Sequence, residues 1–130
     1  MSGNSNNLTG GCQCGAVRYE WTVKPAYASV CYCRMCQKAS GQPFMGLTGG
    51  KIEHLTWTRG TPLTYAFDGN GRISVTINSL DDPEAMPPTK QYGTEGEVAW
   101  VKGIHALPGQ SSDEWLKDKA AHLVNNQRSA

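Results

Sequence analysis

Five cysteines carry most of the chemistry this sequence can do, and all lie between residues 12 and 36. Cys12 and Cys14 stand in Gly11-Cys12-Gln13-Cys14-Gly15, and Cys31, Cys33 and Cys36 in Cys31-Tyr32-Cys33-Arg34-Met35-Cys36. In an extended segment residues i and i+2 face the same side, so each C-x-C pair aims both sulfurs at one point. A tight turn after Cys33 brings in the sulfur of Cys36. Zinc suits three converging thiolates, since it is four-coordinate and takes sulfur at about 2.3 Å. Three protein ligands leave one position open, as in catalytic zinc sites.

Charge sharpens this reading. Zinc with three thiolates is net negative and a weak Lewis acid. It is suited to holding a soft fourth ligand, such as a substrate thiol, as the nucleophilic thiolate at neutral pH. Arg34 and Lys38 flank the cluster and offer cations, either to offset that charge or to bind substrate carboxylates. Other arrangements compete. Cys12, Cys14, Cys33 and Cys36 can close a four-cysteine structural site, with Cys31 a buried thiol. The cysteines can also form a redox or disulfide set, although a C-x-C disulfide is a strained ring. Arg34 and Lys38 can be ordinary solvated side chains.

The elements that must position these residues read mainly as β-strands. The chain has 130 residues, enough for one domain with a real core. Ala16–Val23 alternates, and Tyr27–Val30 leads strand-like into the second cysteine group. Ile52–Trp57 is rich in β-formers. Leu63–Phe67 and Arg72–Ile77 flank Asp68-Gly69-Asn70-Gly71, a hairpin signal. Ile73, Val75 and Ile77 share one face of the second arm. Val98–Val101 is a last candidate strand, and residues 78–97, with three prolines, read as irregular. Ser111 and Glu114 have capping-box spacing, and Leu116, Ala120 and Leu123 follow on one helical face. The fold class is mainly β with short strands and a C-terminal α-helix. Residues 1–10 read as a flexible leader and 11–130 as a single zinc domain.

Composition removes several functions. The formal net charge is +1 and only 18% of residues are charged, so no bulk electrostatic pull toward nucleic acid is expected. No apolar run is long enough to cross a membrane. The N-terminus lacks the basic start and apolar run of a secretory signal, so the expected location is cytoplasmic. Clustered, odd-numbered cysteines in a reducing compartment point to metal or catalysis before disulfides.

The residues also resemble a known family. Gly11-Cys12-Gln13-Cys14-Gly15-Ala16-Val17-Arg18-Tyr19 is similar to the opening of the glutathione-dependent formaldehyde-activating enzymes, also called the centromere protein V family. So is Cys31-Tyr32-Cys33-Arg34-Met35-Cys36-Gln37-Lys38-Ala39-Ser40-Gly41 with Pro43-Phe44. Trp57, Gly60-Thr61-Pro62-Leu63 with Tyr65, Ser79-Leu80-Asp81-Asp82-Pro83, Pro88, Trp100 and Leu107-Pro108 extend the likeness over roughly residues 10–110. The resemblance implies an Mss4-like β-sheet fold and two zinc sites. One is catalytic and corresponds to Cys31, Cys33 and Cys36. The other is structural and corresponds in part to Cys12 and Cys14. The implied activity is that of a carbon–sulfur lyase joining formaldehyde to glutathione to give S-(hydroxymethyl)glutathione, the glutathione sulfur taking the open zinc position.

The sequence departs from that pattern in one respect. The family's C-x-x-C pair in the later hairpin is absent, and no cysteine follows Cys36. Cys12 and Cys14 therefore lack their expected partners. Substitution by His54, His105 or His122, a metal shared across a homodimer, or pairing as a disulfide are the ways left to use them. An unpaired sheet edge also invites a second chain. A non-catalytic zinc-stabilised binding module is the reading opposed to the enzyme. Asp81 and Asp82 read as turn-capping residues before a proline rather than an acid pair. Trp21, Trp57, Trp100 and Trp115 read as core or surface-patch residues, and Gly41, Gly46, Gly49 and Gly50 as residues of tight turns.

Overall fold

A computed structural model describes residues 7–62 and 70–119. In chain order its strands are β1 (Leu8–Gly11), β2 (Arg18–Trp21), β3 (Tyr27–Cys31), β4 (Met45–Lys51), β5 (Leu55–Arg59), β6 (Arg72–Thr76) and β7 (Lys90–Tyr92). Helix α1 (Arg34–Ser40) follows β3, and α2 (Ser112–Lys119) lies toward the C-terminus. The strands form two sheets, one in the order β1-β2-β5 and one in the order β6-β4-β3-β7. All pairings are antiparallel except β3 with β7. The architecture is mainly β, consistent with the expected Mss4-like fold.

Alternation decides the inner faces. In β2, Tyr19 and Trp21 turn inward while Arg18 and Glu20 stay half-exposed. Trp21 is fully buried, worth about 3 kcal/mol for a large apolar side chain. It joins Tyr19, Leu55 of β5, Ala28 of β3 and Ile73 of β6 in one cluster, closed by Ile77, Leu80 and Met86. The core thus draws on both sheets. Val75 packs against it, so the expected Ile73–Val75–Ile77 face is the inward one.

Two glycines explain how the sheets close up. Gly10 pairs with Tyr19 and Gly49 with Tyr27 across neighbouring strands. Each tyrosine lays its ring over the glycine and reaches a serine beyond: Tyr19 Oη lies 2.6 Å from Ser79 Oγ, and Tyr27 Oη lies in the same way against Ser74 Oγ. A Cβ at either glycine would collide with the tyrosine ring. Gly46, Gly49 and Gly50 are therefore strand residues of β4, not turn residues as expected. Only Gly41 fits the turn reading, as the left-handed residue (φ 68°) that ends α1.

Several boundaries differ from the sequence reading. β1 begins at Leu8, inside the stretch read as a leader. It is held by Glu20 across the ladder and by the Asp81 N–H, which donates to the Thr9 carbonyl at 2.8 Å. Ile52–His54 is a 3-10 turn that precedes β5 rather than part of a strand. Val98–Val101 is not a strand either. A 3-10 run covers Ala99–Ala106, has no buried residue, and pairs with no strand among the described residues. The irregular 78–97 stretch contains the short β7. The Leu63–Phe67 hairpin arm, Ala120, Leu123 and His122 lie outside the described residues. At α2 the capping box forms as expected: the Ser111 N–H donates to Glu114 Oε1 and the Glu114 N–H to Ser111 Oγ, both at 3.1 Å.

Candidate metal centre

Cys31 is the last residue of β3, placed between Met45 of β4 and Tyr92 of β7. The Tyr32 N–H continues the ladder by donating to the Tyr92 carbonyl at 3.0 Å. The Tyr32 ring turns inward, edge-on to Phe44 with centroids 5.7 Å apart. Cys33 then caps α1, its extended backbone letting the sulfur accept the Cys36 N–H at 3.4 Å. The turn expected after Cys33 is thus the first turn of a helix, and it carries Cys36 to the same point. The sulfurs of Cys31, Cys33 and Cys36 lie within 4.8 Å of one another, the single such group of three or more potential ligands among the described residues. Tetrahedral zinc with sulfur at about 2.3 Å needs sulfurs roughly 3.8 Å apart, so the cluster fits it.

Without a metal the Cys36 and Cys33 thiols are shifted in opposite directions. Burial pushes Cys36 up to about 12, reinforced by the sulfurs of Cys33 and Cys31 beside it. The Cys36 N–H and the neighbouring thiols hold Cys33 below its ordinary value. A dication in their midst would reverse this and deprotonate all three.

The supports of the cluster include groups that the sequence reading missed. Gln37 is buried, and each of its polar groups is satisfied. Nε2 donates to the Gly96 carbonyl at 2.9 Å and to the Pro43 carbonyl at 3.1 Å, and Oε1 accepts from Arg34 Nη1 at 2.8 Å. One side chain thereby ties α1 to the loops on both flanks. Gly93 (φ 62°) and Gly96 let the loop after β7 touch the Tyr32-Cys33 backbone. A Cβ on Gly93 would sit 3.0 Å from the Cys33 nitrogen, and one on Gly96 2.6 Å from the Tyr32 oxygen. A glutamine in a short polar helix gives no periodic signal, whereas Gly93 and Gly96 following an aromatic residue were a readable hint of close approach.

Arg34 and Lys38 share one flank of α1 and line an open cleft of roughly 380 Å³ with Gln37, Pro43, Val98 and the exposed Trp100. The three cysteines do not line that cleft.

Cys12 and Cys14 do not join the other cysteines. Their segment is a turn rather than extended: the Gly15 N–H donates to the Cys12 carbonyl, and Gly15 is left-handed. It brings the two exposed sulfurs to 3.3 Å, with no third ligand gathered around them among the described residues. The closed Cys12, Cys14, Cys33, Cys36 site is therefore not assembled, and neither His54 nor His105 completes a site. The Val17 N–H at 3.2 Å, with Cys14 beside it, brings the Cys12 thiol down to about 7. Asp81 is bound by Arg18 and accepts from Thr9 Oγ1 at 2.6 Å, while Asp82 accepts the Glu84 N–H. Asp82 serves the turn, as expected, whereas the Asp81 carboxylate is spent on Thr9 of β1 and Arg18 of β2 rather than on capping the turn.

The glutathione-dependent formaldehyde-activating enzyme family matches residues 7–78, more than half of the chain. The chain belongs to that family. No curated protein is significantly similar to it. The matched stretch contains all five cysteines and α1, whereas β7 and the Gly93–Gly96 loop, which complete the cluster's surroundings, lie beyond it. No helix among the described residues is long and apolar enough to cross a membrane.

Proposed function

We propose that this protein is a zinc-dependent carbon–sulfur lyase that joins a small thiol, glutathione or a close relative, to formaldehyde. The convergence of the Cys31, Cys33 and Cys36 sulfurs carries the reading. A zinc ion held by these three would keep one position for the substrate sulfur and hold it as thiolate, the nucleophile toward the aldehyde carbon. A carbon–sulfur bond forms, and the carbonyl oxygen takes a proton to give the S-hydroxymethyl thiol.

The chain's own residues supply binding and position. The β3 end and the α1 cap fix the three sulfurs, and Gln37 fixes α1. Arg34 and Lys38 are the proposed carboxylate anchors, with Trp100 as the apolar wall of their cleft. Arg34 gives one donor to Gln37, and a guanidinium has five in all. A reducing cytoplasm suits free thiols such as glutathione.

The opposed reading, a metal that serves folding alone, is disfavoured by the shortness of the loop it would close. The three ligands span six residues, and none belongs to the buried core. Cross-linking so short a stretch restrains little chain entropy. Two measurements test the proposal. Elemental analysis of reduced, fresh protein should give zinc that Cys31→Ser loses. The rate of S-(hydroxymethyl)glutathione formation should exceed the uncatalysed rate and fall at least about 100-fold in Cys36→Ser. Zinc retained in Cys31→Ser, or an unchanged rate in Cys36→Ser, would sink it.

A further inference from the structure

Cys12 and Cys14 stand outside the proposed lyase site, and their geometry is that of a reactive dithiol. The Cys12–Gly15 turn is closed at one end by the Gly15 N–H on the Cys12 carbonyl and at the other by the Cys12 N–H on the Val17 carbonyl, both at 3.1 Å. The left-handed Gly15 makes the reversal, and the sulfurs end 3.3 Å apart. Both are exposed, and the Val17 N–H points at the Cys12 sulfur. Zinc takes four ligands, and no third histidine, cysteine or carboxylate joins this pair among the described residues. An open cleft of roughly 600 Å³ lies in front of Cys12, lined also by Gln13, Arg18, Asn78 and Asp81. It has room for a small molecule beside the sulfur.

We propose that Cys12 and Cys14 form a dithiol–disulfide couple that exchanges with small-molecule disulfides of the glutathione type. The sulfur of Cys12 attacks one sulfur of the disulfide. A bond forms between Cys12 and that sulfur, the original sulfur–sulfur bond breaks, and the departing thiolate takes up the proton that Cys12 released. The sulfur of Cys14 then attacks Cys12, closes the intramolecular disulfide and expels the second thiol, which takes up the Cys14 proton. The protein loses two electrons and two protons, and the small disulfide becomes two thiols. Only Gln13 separates the cysteines, so the product ring is tight and readily reduced again by the same thiol pool. The couple therefore reports that pool's redox state rather than locking the fold. This holds whether or not the Cys31–Cys33–Cys36 centre is a lyase.

The test exposes zinc-loaded, reduced protein to glutathione disulfide in glutathione buffers of graded ratio, followed by alkylation and peptide mass analysis. The expected result is that the Cys12–Cys14 peptide loses both alkylatable thiols and two hydrogens, and regains them in excess glutathione. Cys14→Ser should stall as a glutathione adduct on Cys12. Two results would overturn the proposal: a pair that stays fully alkylatable in excess glutathione disulfide, or a Cys12→Ser/Cys14→Ser double variant that carries one zinc fewer than wild type.

Discussion

Gln37 is where removal of one side chain should reach the candidate metal centre without touching one of its three cysteines. Its amide nitrogen serves the Pro43 and Gly96 carbonyls, and its oxygen receives Arg34. Gln37→Leu keeps the volume and removes all three bonds. A fully dry carbonyl left without a donor costs about 1–3 kcal/mol. Pro43 and Gly96 are half-buried, so water can partly replace the lost donor and the low end applies. The expected loss is about 2 kcal/mol in total. With a urea slope of about 2 kcal/mol per M, the unfolding midpoint should fall by about 1 M. The loop containing Gly93 and Gly96 should also loosen against Cys33. Zinc affinity, read by competition with a chromophoric chelator, should then weaken even though every cysteine remains. Urea unfolding of zinc-loaded wild type and variant checks the first number. A midpoint within about 0.2 M of wild type, with zinc affinity unchanged, would refute the argument that this glutamine holds the site together.

Gly93→Ala should destabilise the protein by about 1–2 kcal/mol and weaken zinc binding, because a left-handed alanine also presses on the Cys33 nitrogen. Gly41→Ala has the same left-handed strain but meets nothing within 4 Å, so a thermal melt should fall while zinc affinity stays put. The Arg18 guanidinium, helped by Thr9, holds the Asp81 carboxyl below its ordinary value of 3.8. A depressed folded value means that the contribution is present above the ordinary value and lost as pH falls through the folded one. The pair is half-exposed, so less than about 1 kcal/mol is at stake, and Asp81→Asn should flatten the acid limb of a stability–pH curve. Chelating the proposed zinc should leave the far-ultraviolet dichroism and a cooperative melt, since no cysteine belongs to the core. Outright unfolding would instead give the metal a purely structural role.

What was legible in the sequence follows where local pattern and tertiary environment agree. Arg18–Trp21 and Arg72–Thr76 alternate because one face of each meets the core, so they read as strands. The capping box at Ser111 is a purely local device, and it formed. The C-x-C-x-x-C spacing predicted convergence because it needs only a strand end and one turn. The failures share another cause. β4 carries three glycines, which read as turn residues until the Tyr27 ring is laid over Gly49 and the Ile77 side chain against Gly46. α1 is seven residues long with one buried side chain, a glutamine, so no apolar period announces it. β7 is exposed throughout and is a strand only because β3 offers it a parallel edge.

That last pairing bears on the missing cysteine pair. The family match ends at residue 78, yet Leu80 and Met86 complete the core. β7 then runs beside β3 in register with Cys31 at Tyr92, and Gly93 and Gly96 close on Cys33 and Tyr32. The edge of the sheet next to the cluster is therefore covered by this chain's own later residues. The absence of the C-x-x-C pair that the family resemblance leads one to expect bears on Cys12 and Cys14, which sit in the turn between β1 and β2 in the other sheet. It removes nothing that positions Cys31, Cys33 or Cys36. The two cysteine groups are thus structurally separable, and the departure at one does not by itself disable the other. Truncation after residue 78 should consequently abolish zinc binding at the intact cysteines, whereas Cys12→Ser/Cys14→Ser should leave it in place. Parallel zinc titrations of the two proteins decide the point. A truncated chain that still binds zinc with wild-type affinity would show that the later residues are dispensable to the centre.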